Sequence, residues 1–530
     1  MTVAEYIADQ FVKEGIKYVF GIPGGPSIPY MEAFRKAGIE FILTANEGSA
    51  GVMADVTGRL SGKTGICHAT FGPGATNITT GVGGALLDRS PVIVLTSEMS
   101  DAMKGRTTQM NINHQDLFRP VTKATYRLSV SNTGEVIEKA LKECKGSYPG
   151  PVHIGLPADI ATIEIENLPP ASYTTEKEAY NNNHTAIAKL LEDSRSPVIA
   201  AGLTAKRLNL GKELLDLLST HKIPVVLTPM AKGLLPEDHE CYAGVLFHSL
   251  SDYLEGLFEN TDLIIGLGYD PVEFNYESWV SGIPVVHFDT KPVDMPASLR
   301  TEQYIGNPEE WFSVVKKINN AFLVFNKSVI EGIRNEMWAV FDGFTNHFGP
   351  AAALKAIQEE LPEDAILTAD VGSHLHLIGQ FWKTGQKGQL LMTNGWSGMG
   401  FGIPAALAAQ LHSRNSTVAC ITGDGGFLMK CGDIITARNY KLPVIIIVFS
   451  DGELNLIKVK QSWKELSPYG TTLYSEDLFS SDTFLGVKVL RADSIETMKK
   501  ALIQALSVNE PVIINAVIDP EDYKWLIVRR

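Results

Sequence analysis

The sequence lacks several features that mark whole classes of protein. Its 530 residues include 60 acidic and 46 basic side chains, which give a formal charge of −14. The chain therefore lacks the excess of basic residues that binding to nucleic acid or to an anionic membrane requires. The five cysteines form no C-x-x-C pair, which favours reduced, buried thiols over disulfides or a zinc site. The most apolar stretch, residues 444–449, is far shorter than a bilayer span, and residues 1–17 show no cleavable signal. These absences predict a cytoplasmic protein with no nucleic-acid or membrane partner.

The remaining composition is that of a globular protein, with 45% hydrophobic and 20% charged residues. A chain of this length is too long for one core, and short β-rich runs alternate with helical patterns along it. This alternation predicts an α/β protein with three successive doubly wound parallel-sheet domains. We place the domains at residues 1–165, 186–330 and 347–530, joined by linkers at 166–185 and 331–346.

A glycine-rich corner in the third predicted domain follows a hydrophobic strand. The corner reads Gly423-Asp424-Gly425-Gly426. Its glycines allow backbone N–H groups and a helix N-terminus to approach a phosphate closely. The Asp424 carboxylate would repel that phosphate unless a cation lay between them, so the arrangement predicts magnesium. A Gly-Asp-Gly sequence by itself is most often only a turn.

A second acidic loop follows the next predicted strand. Residues 444–449 lead into Ser450-Asp451-Gly452-Glu453. Both strand ends of a strand-helix-strand unit lie at the same carboxyl edge of the sheet, so Asp424 and Asp451 can share one oxygen-liganded cation. This coincidence favours a functional site over two unrelated turns.

Together these loops resemble the cofactor motif of the thiamine diphosphate enzymes that include acetolactate synthase, pyruvate oxidase and benzoylformate decarboxylase. The resemblance implies a pyrimidine-binding, a middle and a diphosphate-binding domain. It implies that Asp424 and Asp451 give side-chain oxygens to Mg²⁺ and that Glu453 gives its backbone carbonyl. Asp451 stands where the family has Asn, which adds a carboxylate for the cation but also negative charge against the diphosphate. Further implied cofactor contacts are Pro23, Asn77, Gly423, Gly425, Gly426 and Leu454.

Glu47 ends a loop after a predicted strand and precedes a helix of small residues. An acid at this place is often only a favourable charge at a helix N-terminus. In the family that the chain resembles, a Glu here hydrogen-bonds the aminopyrimidine ring of the cofactor and promotes removal of the proton from its thiazolium carbon. Asn46 replaces the His that commonly precedes this Glu. The role requires a carboxyl group in a largely apolar pocket.

The segment 394–404 resembles the part of the family that bends the cofactor. Gly398 matches the residue whose backbone carbonyl meets the exocyclic amine, and Met399 matches the bulky residue wedged beneath the cofactor. A glycine-rich helix start with a core Met is the structural alternative. Because the family takes the equivalents of Glu47 and Asp424 from different subunits, the resemblance implies a homodimer or homotetramer with active sites between subunits.

Three positions bear on the substrate. Gln109 matches a Gln that faces the reacting carbonyl in acetolactate synthases, although one extra residue lies between it and Pro120 and leaves Gln115 as the alternative. His68 matches an active-site His of benzoylformate decarboxylase, whereas a His at a strand end is more often structural. The active-site Ser of that decarboxylase falls on Gly25 here.

The resemblance implies an enzyme that decarboxylates a 2-oxo acid and joins the remainder to a second 2-oxo acid. Residues 265–273 look like those of flavin-independent acetolactate synthases, so FAD is not expected. A decarboxylase that releases an aldehyde, or another carbon–carbon lyase, is the alternative, which a catalytic His68 would favour. A non-catalytic binding protein of the same fold is the remaining alternative, and the presence of Glu47 argues against it.

Overall fold

The computed structural model describes residues 1–165, 180–273, 282–385 and 389–527. These residues group into two compact units. The first unit comprises residues 1–165, 396–415 and 428–444, and the second comprises the other described residues. The first unit contains one largely parallel sheet and the second contains two, which confirms the predicted α/β class with three parallel sheets.

The sheet of the first unit has six parallel strands in the order β2-β1-β3-β4-β6-β5. The strands are β1 (Tyr18–Ile22), β2 (Glu40–Leu43), β3 (Gly65–Ala69), β4 (Val92–Glu98), β5 (Ala124–Arg127) and β6 (Val152–Pro157). The helices of this part of the chain are α1 (Val3–Lys13), α2 (Ile28–Lys36), α3 (Glu47–Ser61), α4 (Pro73–Leu87), α5 (His114–Phe118) and α6 (Thr133–Lys145). Strands β3 and β4 are buried along their whole length, as central strands of a parallel sheet are when both faces are covered.

The second sheet also has six parallel strands, in the order β12-β11-β10-β7-β8-β9. The strands are β7 (Pro197–Ala201), β8 (Val225–Leu227), β9 (Tyr242–Val245), β10 (Leu263–Leu267), β11 (Val285–Asp289) and β12 (Thr301–Ile305). The accompanying helices are α7 (His184–Asp193), α8 (Leu203–Arg207), α9 (Gly211–Thr220), α10 (Glu255–Phe258), α11 (Pro308–Val315) and α12 (Lys327–Gly343).

The third sheet has seven strands in the order β14-β13-β15-β16-β19-β18-β17, all parallel except the β17–β18 pair. The strands are β13 (Ile366–Ala369), β14 (Gln389–Leu391), β15 (Val418–Gly423), β16 (Ile445–Ser450), β17 (Thr483–Phe484), β18 (Val487–Ala492) and β19 (Val512–Val517). The helices of this part of the chain are α13 (Pro350–Glu360), α14 (Ser373–Phe381), α15 (Gly402–His412), α16 (Asp424–Lys430), α17 (Asp433–Asn439), α18 (Asn455–Trp463), α19 (Ile495–Leu506) and α20 (Tyr523–Leu526). Of these, α15 and α17 belong to the first unit.

The predicted domain boundaries remain predictions. Most of the predicted linker 166–185 lies outside the described residues, and helix α7 begins at His184. The predicted linker 331–346 coincides largely with helix α12. Along the described chain, no helix is both long enough and apolar enough to cross a membrane.

Candidate active site

Two acidic loops meet at the carboxyl edge of the third sheet. Strands β15 and β16 pair in parallel, with Gly423 opposite Phe449, so the residues that follow them are neighbours. Asp424 Oδ2 accepts hydrogen bonds from the backbone N–H groups of Asp451 (3.1 Å) and Gly452 (2.7 Å). The predicted convergence of Asp424 and Asp451 is therefore present in the structure.

Asp424 is held rigidly by its partners. Its Oδ1 accepts a hydrogen bond from the backbone N–H of Gly425 at 2.7 Å, and its Oδ2 accepts one from the Tyr474 hydroxyl at 2.9 Å. The side chain is almost fully buried, and this burial raises the pKa of the carboxyl. Tyr474 lies in a later loop and carried no sequence signal, so only the structure connects it with this site.

The pKa of Asp451 is shifted strongly upwards. Burial, together with the negative charge of Asp424, raises its pKa to about 7. Its Oδ1 accepts the backbone N–H of Glu453 at 3.0 Å, and its Oδ2 accepts the Asn455 amide at 3.1 Å. The negative charges of these two neighbouring carboxylates repel each other. A hard divalent cation prefers such oxygen ligands and would reduce the repulsion. The residues present therefore fit magnesium.

Glu453 turns its side chain away from this pair. Its carboxylate accepts hydrogen bonds from Lys458 at 3.1 Å and from the Thr471 hydroxyl at 2.9 Å. The adjacent backbone bridge uses the carbonyls of Gly452 and Thr471, so it leaves the Glu453 carbonyl uncommitted. This arrangement agrees with a role for the backbone carbonyl of Glu453 and not for its carboxylate. Leu454 donates its N–H to Thr471 within the same bridge.

The glycines of the corner permit close packing. A Cβ at Gly426 would lie 2.2 Å from Asp370 Oδ2 and 2.8 Å from Thr422 Oγ1, so any side chain there would displace buried polar atoms. A Cβ at Gly423 would lie 3.3 Å from the His374 ring. Gly426 is thus required by its neighbours, whatever ligand the loop takes, whereas a side chain at Gly423 would need only a small shift of the His374 ring.

Glu47 occupies the predicted place in the first unit. It is the first residue of helix α3, and Asn46 caps that helix by accepting the Gly48 N–H at 2.9 Å. The Glu47 side chain is buried, and its Oε2 accepts a hydrogen bond from the Asn77 amide at 3.1 Å. Beside Oε1, a Cβ at Gly74 would lie at 3.3 Å. The absence of a side chain at Gly74 leaves room next to this oxygen.

The loop before Glu47 is fixed by a segment from much later in the chain. The Lys430 ammonium donates to Asn46 Oδ1 at 3.0 Å. Asp433 accepts the Ala45 N–H at 3.0 Å and the Ser49 hydroxyl at 2.5 Å. Lys430 and Asp433 were not identified from the sequence, because their only sequence signal is their position four and seven residues after Gly426.

Residues 396–404 of the cofactor-bending segment lie in the first unit. Met399 is half-buried, and Gly398 lies against the Trp396 ring. A Cβ at Gly83 would lie 2.8 Å from the same ring, so Trp396 rests directly on helix α4.

His68 lies in a buried polar contact. Its Nε2 is 2.7 Å from the Ser27 hydroxyl, and that hydroxyl is 3.2 Å from the Ser97 hydroxyl. Burial lowers the pKa of His68 to about 4, so the ring is neutral at neutral pH. Gly25 begins the short 3-10 helix that also contains Ser27, and the space around the Gly25 Cβ position is open. Pro23 lies just before this helix, after strand β1. The hydroxyl that meets His68 therefore comes from Ser27, two residues beyond the position matched by sequence.

The two candidate glutamines differ in environment. Gln109 is exposed, whereas Gln115 is half-buried and donates from Nε2 to Glu98 Oε1. Gln115 also lines a cavity of about 410 Å³ that is bordered by Phe71, Glu98, His114 and Arg127. Gln109 does not border this cavity, although its neighbours Thr108 and Met110 do.

These features are those of a cofactor-dependent α/β enzyme: parallel sheets, a pair of carboxylates suited to a cation, and a buried acid at the start of a helix. Comparison with known families specifies the cofactor. The chain matches the thiamine pyrophosphate enzyme N-terminal TPP binding domain over residues 1–117, the central domain over 184–311 and the C-terminal TPP binding domain over 370–516. The chain belongs to the thiamine pyrophosphate (thiamine diphosphate) enzyme family.

Among individual proteins, the chain is similar to acetolactate synthases over nearly its whole length. It is 31% identical to the probable acetolactate synthase large subunit of Methanocaldococcus jannaschii, covering 98% of this chain and 93% of that protein. It is 25% identical to the acetolactate synthase of Bacillus subtilis, with 98% and 93% covered. It is 26% identical to the acetolactate synthase isozyme 2 large subunit of Escherichia coli, with 100% and 97% covered.

Proposed function

We propose that this chain is a thiamine diphosphate- and Mg²⁺-dependent enzyme that decarboxylates a 2-oxo acid such as pyruvate and joins the remainder to a second 2-oxo acid. The observation that carries the proposal is the pairing of Asp424 with Asp451 in a family member that also keeps Glu47 buried at a helix start. The similarity to acetolactate synthases supports the choice of reaction.

In this proposal Asp424 and Asp451 bind Mg²⁺ through side-chain oxygens, and Glu453 binds it through its carbonyl. Burial and the charge of Asp424 raise the pKa of Asp451, and a cation held by these residues would offset their negative charge and that of the diphosphate. The Tyr474 hydroxyl and the backbone N–H groups of Asp451 and Gly452 donate to the Asp424 carboxylate and orient it in the absence of a cation. The glycine corner, Gly423, Gly425 and Gly426, approaches the diphosphate.

In this proposal Glu47 hydrogen-bonds the aminopyrimidine ring and so promotes removal of the proton from the thiazolium carbon. Its Oε2 is occupied by Asn77, while Oε1 faces the space beside Gly74 and is available to the aminopyrimidine ring. Gly398 and Met399 supply the carbonyl and the wedge that shape the bound cofactor. When bound, thiamine diphosphate supplies the cationic ring that takes up the electrons released by decarboxylation.

The fate of the product depends on whether a proton donor is close. His68 has a pKa of about 4 and its Nε2 is engaged by Ser27, so at neutral pH it is a poor acid. This supports carbon–carbon bond formation over protonation and release of an aldehyde. Simple decarboxylation is the second candidate because the sequence around His68 resembles that around the active-site His of benzoylformate decarboxylase. In the proposed carboligation, Gln109, or Gln115 in its place, faces the substrate carbonyl.

We further propose an assembly of at least two copies with active sites between subunits, no requirement for FAD, and a cytoplasmic location. The family resemblance supports the assembly. The similarity of residues 265–273 to flavin-independent enzymes supports the absence of FAD. All five cysteines are free, which agrees with a reducing compartment. Sedimentation of the purified protein and its visible absorption spectrum test the first two points.

The function is tested by product identification. The purified enzyme with thiamine diphosphate and Mg²⁺ is given ¹³C-labelled pyruvate, and separately benzoylformate and branched 2-oxo acids, and the products are followed by NMR. We expect acetolactate from pyruvate. Acetaldehyde or benzaldehyde as the sole product would contradict the proposed carboligation. A Glu47→Gln variant assayed in parallel identifies any background activity from the preparation.

A further inference from the structure

A buried line of hydroxyl and imidazole groups crosses the first unit. Thr125 Oγ1 lies 2.7 Å from His153 Nδ1, and His153 Nε2 lies 2.8 Å from Thr96 Oγ1. Thr96 Oγ1 lies 2.8 Å from His114 Nδ1, and the Gly72 N–H points at His114 Nε2 at 3.4 Å. All four imidazole nitrogens therefore have a partner, and the line ends on one backbone amide.

That amide fixes the tautomer of His114, and the other directions follow when the Thr96 hydroxyl donates its proton within the line. A backbone N–H can only donate, so His114 Nε2 accepts and His114 Nδ1 carries the proton. The Nδ1–H donates to Thr96, which leaves the Thr96 hydroxyl to donate to His153 Nε2. His153 then carries its proton on Nδ1 and donates it to Thr125. One assignment satisfies the whole line, with both rings neutral.

Both rings are suited to remain neutral. Burial lowers the pKa of His114 to about 4, and burial together with His114 lowers the pKa of His153 well below its usual value. A proton on His114 Nε2 would face the Gly72 N–H and break the contact. The line is therefore a fixed support over the neutral pH range and not a switch.

Gly72 connects this line to the loop beside Glu47. Its φ of +66° is a left-handed conformation, and a Cβ there would lie 2.8 Å from the Met110 Cβ. The residues that follow it border Glu47, since Asn77 donates to that carboxylate and Gly74 lies beside its free oxygen. Phe71, just before Gly72, borders the same cavity of about 410 Å³ as His114.

A metal centre is the competing explanation. Glu98 brings a carboxylate oxygen close enough that one ligand atom each from Glu98, His114 and His153 lie within 4.8 Å of one another. However, Glu98 already accepts hydrogen bonds from Gln115 and Arg127, and Thr96 lies between the two rings. A cation would have to displace these bonds, so the hydrogen-bonded line is the better account.

We infer that His114 is a positioning residue. By accepting the Gly72 N–H, it sets the conformation of the loop 70–77, which lies between the Glu47 carboxylate and the cavity. Thr96, His153 and Thr125 orient His114 and hold its tautomer. Because the candidate substrate residue Gln115 lines the cavity, we assign the cavity to the substrate, and this assignment rests on the proposed function. The control of the loop by His114 does not depend on it.

Two substitutions divide the role of His114. In His114→Gln the side-chain oxygen replaces Nε2 and still accepts the Gly72 N–H. In His114→Asn the side-chain amide replaces Nδ1 and still donates to Thr96, but Gly72 loses its acceptor. Hydrogen–deuterium exchange by mass spectrometry on a peptide covering residues 70–78 reads the loop directly, without substrate or cofactor.

We expect exchange of this peptide to be about fivefold faster in His114→Asn, the net value of one hydrogen bond, and close to wild type in His114→Gln. With pyruvate, thiamine diphosphate and Mg²⁺ present, the same Asn variant raises KM about fivefold with little change in kcat, and the Gln variant restores KM. Asp116→Asn, on the exposed part of the same helix, is the matched control and leaves both readings unchanged.

Equal exchange in the Asn and Gln variants, whether both wild-type or both fast, would overturn the inference. One equivalent of a transition metal bound per chain and lost in His153→Ala would overturn it in favour of a metal centre. If no carboligation is found but the exchange difference holds, the proposed function fails and the positioning role of His114 stands.

Discussion

Replacement of Asp451 by Asn tests the electrostatics of the cation site. In the metal-free protein Asp451 has a pKa of about 7, raised by burial and by Asp424. Cation binding requires the carboxylate, so the apparent affinity falls as pH falls through this value. With a pKa of about 7, about one tenth of the carboxyl is ionised at pH 6 and about nine tenths at pH 8. Wild-type affinity should therefore fall about tenfold from pH 8 to pH 6.

The Asp451→Asn variant keeps the local geometry but loses this titration. The Asn carbonyl can still accept the Glu453 N–H, and the Asn455 amide can turn to present its oxygen to the new NH₂ group. We expect weaker binding at pH 8 and a much smaller change between pH 8 and pH 6. Free Mn²⁺ measured by electron paramagnetic resonance, in the absence of cofactor, gives the affinity without a contribution from phosphate titration.

Glu453→Gln is the matched control, because the Glu453 carboxylate faces Lys458 and Thr471 while its carbonyl is assigned to the cation. This variant should retain the wild-type dependence on pH. The reasoning is refuted if wild-type affinity is constant between pH 6 and pH 8, or if Glu453→Gln abolishes the dependence as Asp451→Asn does.

Three further predictions follow from the same contacts. The pKa of Asp451 in the folded protein lies above its ordinary value of 3.8, so the metal-free protein binds more protons when folded than when unfolded. Its thermal midpoint should therefore fall as pH rises from about 4 to about 7, and Asp451→Asn should remove part of this fall in calorimetry. Lys430→Met removes the hydrogen bond to Asn46 and should slow proton exchange at the cofactor's reactive carbon about fivefold, whereas the exposed Lys441→Met should not. Ser27→Ala should cost about 1 kcal/mol in denaturant unfolding and leave the product unchanged; a shift towards aldehyde would give Ser27 and His68 a part in the chemistry.

The central strands and the cation pair could be predicted from the sequence because local patterns determine them. Strands β15 and β16 are apolar runs that end in acidic loops, and parallel pairing then brings Asp424 and Asp451 together. Edge strands such as β14 and β17 cannot be predicted in the same way. They have only three and two residues, too few for an alternation to appear.

The contacts that sequence reasoning missed join distant parts of the chain. Tyr474 reaches Asp424, and Lys430 reaches Asn46, across 50 and 384 positions. Ser27 reaches His68 from the turn after β1, where the sequence match had indicated Gly25. Such partners depend on how loops from separate strands approach one another, and no spacing within a motif encodes that approach.

The central claim is that Glu47 activates thiamine diphosphate bound by this chain. The most direct measurement is the rate of hydrogen–deuterium exchange at the reactive carbon of the bound cofactor, followed by rapid quench and NMR. We expect Glu47→Gln to slow this exchange by roughly a hundredfold or more, the scale of a lost general acid–base group. Glu98→Gln, another buried acid of the same unit, serves as the control and should exchange at the wild-type rate. Wild-type exchange in Glu47→Gln would contradict the account.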